Sequence, residues 1–203
     1  MEEFFIYLGL GFDHITDPRG YDHILFVIAL CAVFTIRQWR KVLILVTAFT
    51  VGHSITLALA TLQLIEYDSG LIELLIPITI LITAISNFFY RKADNRFTVR
   101  ETKPLLRYVL ALIFGLIHGM GFSNYLRSLL GKETSIVQPL LAFNIGLEIG
   151  QLFIVGLILI LAFVAIERLR VRKHDWNLVV SGIMAGMALS LIIENEYLAN
   201  LFG

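Results

Sequence analysis

Stretch after stretch of this chain is apolar for about twenty residues, the length a helix needs to cross the hydrocarbon core of a bilayer. Six such stretches can be read, at roughly 18–36, 42–65, 71–90, 105–130, 139–166 and 176–198. The expectation is an all-α polytopic membrane protein, with residues 1–203 forming one transmembrane domain of six helices. Composition agrees: 58% of residues are hydrophobic, only 16% are charged, and mean hydropathy is +0.81. A soluble domain carries about 25% charged residues. The 16 basic and 16 acidic residues cancel, which leaves no basic face for nucleic acid. Cys31 is the single cysteine, so an intrachain disulfide and a thiolate metal cluster are both excluded.

Local signals refine the spans. Asp17-Pro18 reads as an N-cap followed by proline at the first helical position, and Pro139 opens the fifth span in the same way. Pro77 lies inside the third span and should bend it. Residues Phe4 to Phe12 are apolar but too few to cross. They read as a short interfacial or re-entrant segment, or as a frayed terminus. Glu2 and Glu3 precede them in place of a basic region, which argues against a signal peptide.

Orientation follows from lysine and arginine, which gather on the cytoplasmic side. Arg37, Arg40 and Lys41 follow the first span. Arg91, Lys92, Arg96, Arg100, Lys103 and Arg107 follow the third. Arg168, Arg170, Arg172 and Lys173 follow the fifth. These alternate loops hold thirteen of the 16 basic residues, leaving Arg19, Arg127 and Lys132 on the other side. Both termini are therefore expected outside.

Ionisable groups within apolar spans are costly and mark function by default. The first span carries Asp22 and His23, just after Asp13 and His14. His53 lies in the second span, Glu73 near the start of the third, His118 in the fourth, Glu148 in the fifth and Glu194 in the sixth. At 1.5 Å per residue His53 is roughly 16 Å deep and Glu148 about 14 Å. All these groups fall at the midplane or outside it. The inner half offers neutral groups such as Asn87, Thr47 and Thr83. Asn144, Glu148 and Gln151 share one face of the fifth span. Thr47, Thr50, Ser54 and Thr61 share a face of the second, with His53 at its edge. Lipid cannot satisfy such stripes, so they should face the bundle interior.

Imidazole nitrogen with carboxylate and amide oxygen, and no thiolate, suits a borderline divalent ion such as nickel, cobalt or zinc. His14, His23, His53, His118, Asp22 and Glu148 are the candidate ligands. Asp13, Ser54, Glu73, Asn144, Gln151 and Glu194 are candidate polar lining. The competing reading makes each intramembrane histidine a helix–helix hydrogen-bonding residue. Glu73 and Glu194 lie close enough to the interface to reach water. His174 sits among the basic residues of a loop and reads as an exposed residue. The spacings Gly115/Gly119, Gly146/Gly150 and Gly182/Gly186 predict close helix packing.

Four segments resemble the HupE/UreJ family of small bacterial membrane proteins. They are Gly20-Tyr-Asp-His-Ile-Leu-Phe26, Phe49-Thr-Val-Gly-His-Ser-Ile-Thr-Leu57, Phe114-Gly-Leu-Ile-His-Gly-Met-Gly-Phe122 and Phe143-Asn-Ile-Gly-Leu-Glu-Ile-Gly-Gln151. The family hallmark, a histidine, a spacer with glycine and then Asp-His, maps to His14, Gly20, Asp22 and His23. The spacer here is longer than the family's His-Pro-x-x-Gly version, and Pro18 sits elsewhere. The resemblance implies a bacterial inner-membrane protein that imports nickel or cobalt.

Three functions compete on these residues. A divalent-metal permease would capture its ion at the outer Asp-His pairs, pass it to His53, His118 and Glu148, and release it past Asn87. The chain carries no P-loop, so transport would be passive or driven by the membrane potential. An intramembrane zinc hydrolase would hold the metal on His23, His53 and His118, with Glu148 as base. A metal-binding accessory subunit or sensor would bind without moving the ion. The sequence points to no protein partner.

Overall fold

The computed structural model describes residues 2–89, 104–130 and 136–202. The expected basic loop around 91–103 and Lys132 lie outside the described residues. All regular structure among the described residues is helical: α1 (Glu2–Thr16), α2 (Asp22–Cys31), α3 (Trp39–Thr61), α4 (Ser69–Phe88), α5 (Pro104–Gly121), α6 (Ser123–Leu130), α7 (Val137–Phe163), α8 (Lys173–Ile193) and α9 (Glu196–Phe202).

By length and apolarity four helical stretches can cross a membrane: Ile36–Thr61, Ser69–Phe88, Val137–Arg168 and Lys173–Ile193. A fifth is the pair α5 and α6, bent by 47° where Phe122 separates them. The first expected span, 18–36, is the main departure. Its helix, α2, has only ten residues. Asp17 does act as a cap, its carboxylate accepting from the Arg19 amide at 2.9 Å, but it starts a single 3-10 turn over Pro18–Gly20. The segment before it is a helix of 15 residues, neither frayed nor as short as its apolar core suggested. Together α1 and α2 form two half-length helices joined at an exposed turn. Apolarity alone does not reveal such a break, because both halves are apolar. Elsewhere α4 runs through Pro77 without interruption. The last expected span is broken at Glu194 and Asn195, between α8 and α9.

Three helix pairs carry most of the packing: α3 with α5, α1 with α7, and α4 with α8. Glycine makes the first two possible. A methyl group on Gly115 would lie 2.1 Å from the Phe49 carbonyl oxygen, and one on Gly119 would lie 2.2 Å from that of His53. On the other pair, Gly11 would meet the Phe143 carbonyl and Gly146 the Leu8 carbonyl, each at 1.9 Å. The register of these contacts makes α3 parallel to α5 and α1 parallel to α7. The third glycine pair does not follow the expectation: nothing lies within 4 Å of a methyl group on Gly182 or Gly186. α8 packs through its other face instead, burying Asn177, Val180, Ser181, Met184 and Ala188.

Gly115→Ala and Gly146→Ala each place a carbon against a backbone carbonyl that cannot move aside. Each should therefore lower stability by about 1–3 kcal/mol. Gly182→Ala, in a helix with open space around it, should not lower the melting temperature in detergent. Thermal unfolding of the three variants measures the contrast.

Candidate metal centre

Four histidines from four helices converge. His53 of α3 and His118 of α5 are 0% exposed, His23 of α2 is 5% exposed, and His14 of α1 is half-buried. Gly119 brings the α5 backbone against that of α3 at His53, so the two buried imidazoles share one layer. His14 and His23 arrive from the adjoining ends of the two half-helices. Ring centroids are 4.7 Å apart for His14 and His23, 6.1 Å for His23 and His53, 6.3 Å for His14 and His53, and 5.2 Å for His23 and His118. One ring nitrogen from each of His14, His23 and His53 lies within 4.8 Å of the others, close enough for the three to hold one ion.

Hydrogen bonding sets which nitrogens are free. His118 Nδ1 sits 2.8 Å from the Phe114 carbonyl oxygen. A carbonyl only accepts, so Nδ1 carries the proton and Nε2 keeps its lone pair. His23 Nδ1 sits 3.1 Å from Asp22 Oδ1. With the carboxylate ionised the same argument leaves Nε2 of His23 bare, the arrangement by which carboxylates orient metal-bound histidines. Among the described residues, the buried Nε2 atoms of His14, His23 and His118, and both ring nitrogens of His53, have no hydrogen-bond partner. Buried polar atoms are paired as a rule; a neutral imidazole keeps one lone pair, and those of His14, His23 and His53 come from atoms close enough together to serve as a nitrogen ligand set.

Aromatic rings enclose the set. Phe26 and Phe49 lie 5.2 and 5.1 Å from His118. Phe122, at the α5–α6 bend, has its ring centroid 3.8 Å from that of His14, tilted by 36°, and stacks on Phe143 at 5.0 Å. This apolar casing keeps water from satisfying the imidazoles. Phe122 and Phe143 stood in the sequence near His118 and beside Asn144, but stacking across helices leaves no mark on either segment alone.

Two clefts reach the cluster. One, of about 570 Å³, is lined by Asp13, His14, Asp17, Phe122 and Tyr125 among others. The second, of about 690 Å³, is lined by Arg19, Asp22, Glu73, Pro77 and Glu194 among others. The expected lining residues Asp13, Glu73 and Glu194 thus belong to the clefts and not to the cluster. Glu194 also accepts from Ser190 at 2.8 Å.

The fifth-span residues form a separate level. The Thr47 hydroxyl donates to Glu148 Oε1 at 2.8 Å, and that of Thr50 to Gln151 Oε1 at 2.7 Å. Thr47 precedes His53 by about 9 Å along α3, so Glu148 is not among the convergent imidazoles. Ser54 turns back on its own helix, donating to the Thr50 carbonyl at 2.7 Å. Asn144 donates to the Leu140 carbonyl at 2.8 Å, and its Oδ1 is buried without a partner. Asn87 does not line an open route: it is 0% exposed and hydrogen-bonded to Ala29 and Ser181.

No curated protein and no solved structure matches the chain. A family model does: the one described as HupE / UreJ protein, over residues 1–197. With that match spanning almost the whole chain, the protein belongs to the HupE/UreJ family.

Proposed function

We propose that this protein is a divalent transition-metal permease whose cargo is nickel or cobalt. The observation that carries the reading is the convergence of His14, His23, His53 and His118, with buried ring nitrogens that have no hydrogen-bond partner among the described residues. Family membership supports metal transport as the activity. Neutral imidazole suits nickel and cobalt, and also zinc.

In this reading the chain spans the inner membrane six times with both termini outside. The half-helices α1 and α2 together make the first span, and α5 with α6 the fourth. The parallel pairing of α1 with α7 and of α3 with α5 supports that alternation. So do polar contacts between the two described basic loops: Lys173 Nζ donates to Gln38 Oε1 at 3.3 Å, and Arg37 lies 3.9 Å from Glu167. The ion is attracted by Asp13 and Asp17 in the first cleft, or by Asp22, Glu73 and Glu194 in the second. It sheds its water for the imidazoles, with Asp22 offsetting charge and orienting His23. Glu148, with Gln151 and the threonine hydroxyls, offers oxygen ligands farther along. A membrane potential of about 100 mV favours passage of a divalent ion by about 4.6 kcal/mol. The hydrolase alternative casts Glu148 as base, and the pairing of Glu148 with Thr47, away from the imidazoles, weighs against that role.

His53→Ala and His118→Ala should each abolish tight nickel or cobalt binding by the purified protein. His174→Ala should change nothing. Asp22→Asn keeps His23 but loses its orienting charge, and should weaken binding about 10–100-fold. Equilibrium dialysis with metal analysis reads all four. Normal binding by both alanine variants would make the histidines packing residues.

Protons compete with metal for imidazole nitrogen. Bound metal should therefore fall as pH is lowered and return when it is raised, measured on the same sample.

Wild-type proteoliposomes should accumulate the ion under an inside-negative potential. A protein that binds metal at the histidines yet moves none would leave a sensor or an enzyme. Orientation is read separately in a Cys31→Ser background. Asp68→Cys should react with an impermeant maleimide in intact cells, and Arg170→Cys should resist it.

A further inference from the structure

The half-helix α2 has a polar anchor at each end. At its start Asp22 and His23 stand in the imidazole cluster. At its end a problem of backbone chemistry arises. A helix leaves its last carbonyls without intrahelical partners, and here that end is buried where water cannot serve. Asn87, from the last turn of α4, supplies the donor: its Nδ2 meets the Ala29 carbonyl at 2.7 Å. The same Nδ2 lies 3.2 Å from Ser181 Oγ of α8. Asn177 Nδ2 in turn donates to the Asn87 main-chain carbonyl at 2.7 Å, and Ser181 donates to Asn177 Oδ1 at 3.1 Å. Asn87 and Ser181 are 0% exposed and Asn177 is 3% exposed. The group therefore ties the ends of α2, α4 and α8 together at a level remote from the histidines. It is also unfinished, because Asn87 Oδ1 is buried with no partner among the described residues.

We propose that Asn87 is a positioning residue that latches the inner end of α2, and that an ion bound at the His23 end draws this short helix off the latch. The inference rests on the permease reading. His23 and Ala29 are about 9 Å apart along one rigid helix, so displacement at one end is delivered to the other. A turn of exposed residues, Asp17–Gly20, joins α2 to α1, so the two half-helices need not move together. Ligands drawn toward an ion move α2 against α4 and α8. The bond this strains is the one between the Ala29 carbonyl and Asn87. Release of that bond uncovers the inner end of the bundle while the ion is held, which places opening after loading.

Cys31 reports on the event. It lies in the last turn of α2, is 2% exposed, and is the single thiol of the chain. The experiment measures the rate of its alkylation by N-ethylmaleimide in the purified full-length protein, with and without nickel. Wild-type protein without metal should react slowly. Asn87→Leu removes the donor at similar volume and should react about tenfold faster without metal, the shift expected from losing one buried hydrogen bond. Nickel should accelerate the wild-type reaction, saturating with occupancy, and should have no effect in His23→Ala. A purely structural asparagine would leave that metal response absent from wild type. Ser181→Ala keeps the Ala29 bond but loosens the network. It should react about threefold faster, and it carries the test if Asn87→Leu does not fold. Equal rates for wild type and the latch variants, or a nickel-loaded wild type that reacts no faster, would overturn the proposal. A wild type that binds no nickel by dialysis overturns the permease reading instead, and the metal-free comparison of variants then still decides whether Asn87 holds α2 closed.

Discussion

The architecture depends on backbones lying against each other without side chains between them. Where α5 meets α3, the Gly119 Cα faces the carbonyl of His53 itself. That approach sets the separation of two buried imidazoles that have no other reason to share a layer. Between lipid-embedded helices there is no hydrophobic drive to associate, so close van der Waals contact does the work. A parallel pair then forms with its histidines in register. The α1–α7 contact through Gly11 and Gly146 does the same for His14, which enters from a helix too short to hold its own position in a bilayer.

The consequence for electrostatics is a site built to be incomplete. Two of the imidazoles use one nitrogen on an internal acceptor, the Phe114 carbonyl or the Asp22 carboxylate, and keep the other bare. Packing phenylalanines deny water to the bare nitrogens. The protein carries the cost of those unsatisfied groups until something electrophilic takes them. A cation is the natural candidate, since a neutral donor would have to bring several protons to the same point.

Much of this was legible in the amino-acid sequence, and what was not has identifiable causes. Charged and imidazole groups inside apolar runs are visible one by one, and their expense flags them. Helical spacing placed Asn144, Glu148 and Gln151 on one face, and the structure pairs two of them with threonines of α3. Which of these groups meet was not visible, because that depends on the register between helices. Hence Glu148 stands apart from the imidazoles although both sit near the centre of their spans. The division of the first span was hidden too. Asp17-Pro18 announces the start of a helix equally well whether one turn or five follow. Asn177 and Ser181 passed unnoticed because a short polar side chain near a helix start reads as solvated until the neighbouring helix ends are seen to need donors. Gly182 and Gly186 show the reverse error: correct spacing on the face that packs against nothing.

The pairing of α1 with α7 also bears on how the molecule comes together. α1 finds its backbone partner only when α7, much later in the chain, has entered the bilayer, since Leu8 lies against Gly146. Until then the half-helix α1, fifteen residues long, lacks the partner that buries its glycine face. A chain emerging from the ribosome can assemble α2 to α5, with three of the histidines, well before the fourth is delivered. The four-histidine set is thus closed by a long-range contact, and a protein that has not finished inserting does not yet possess it.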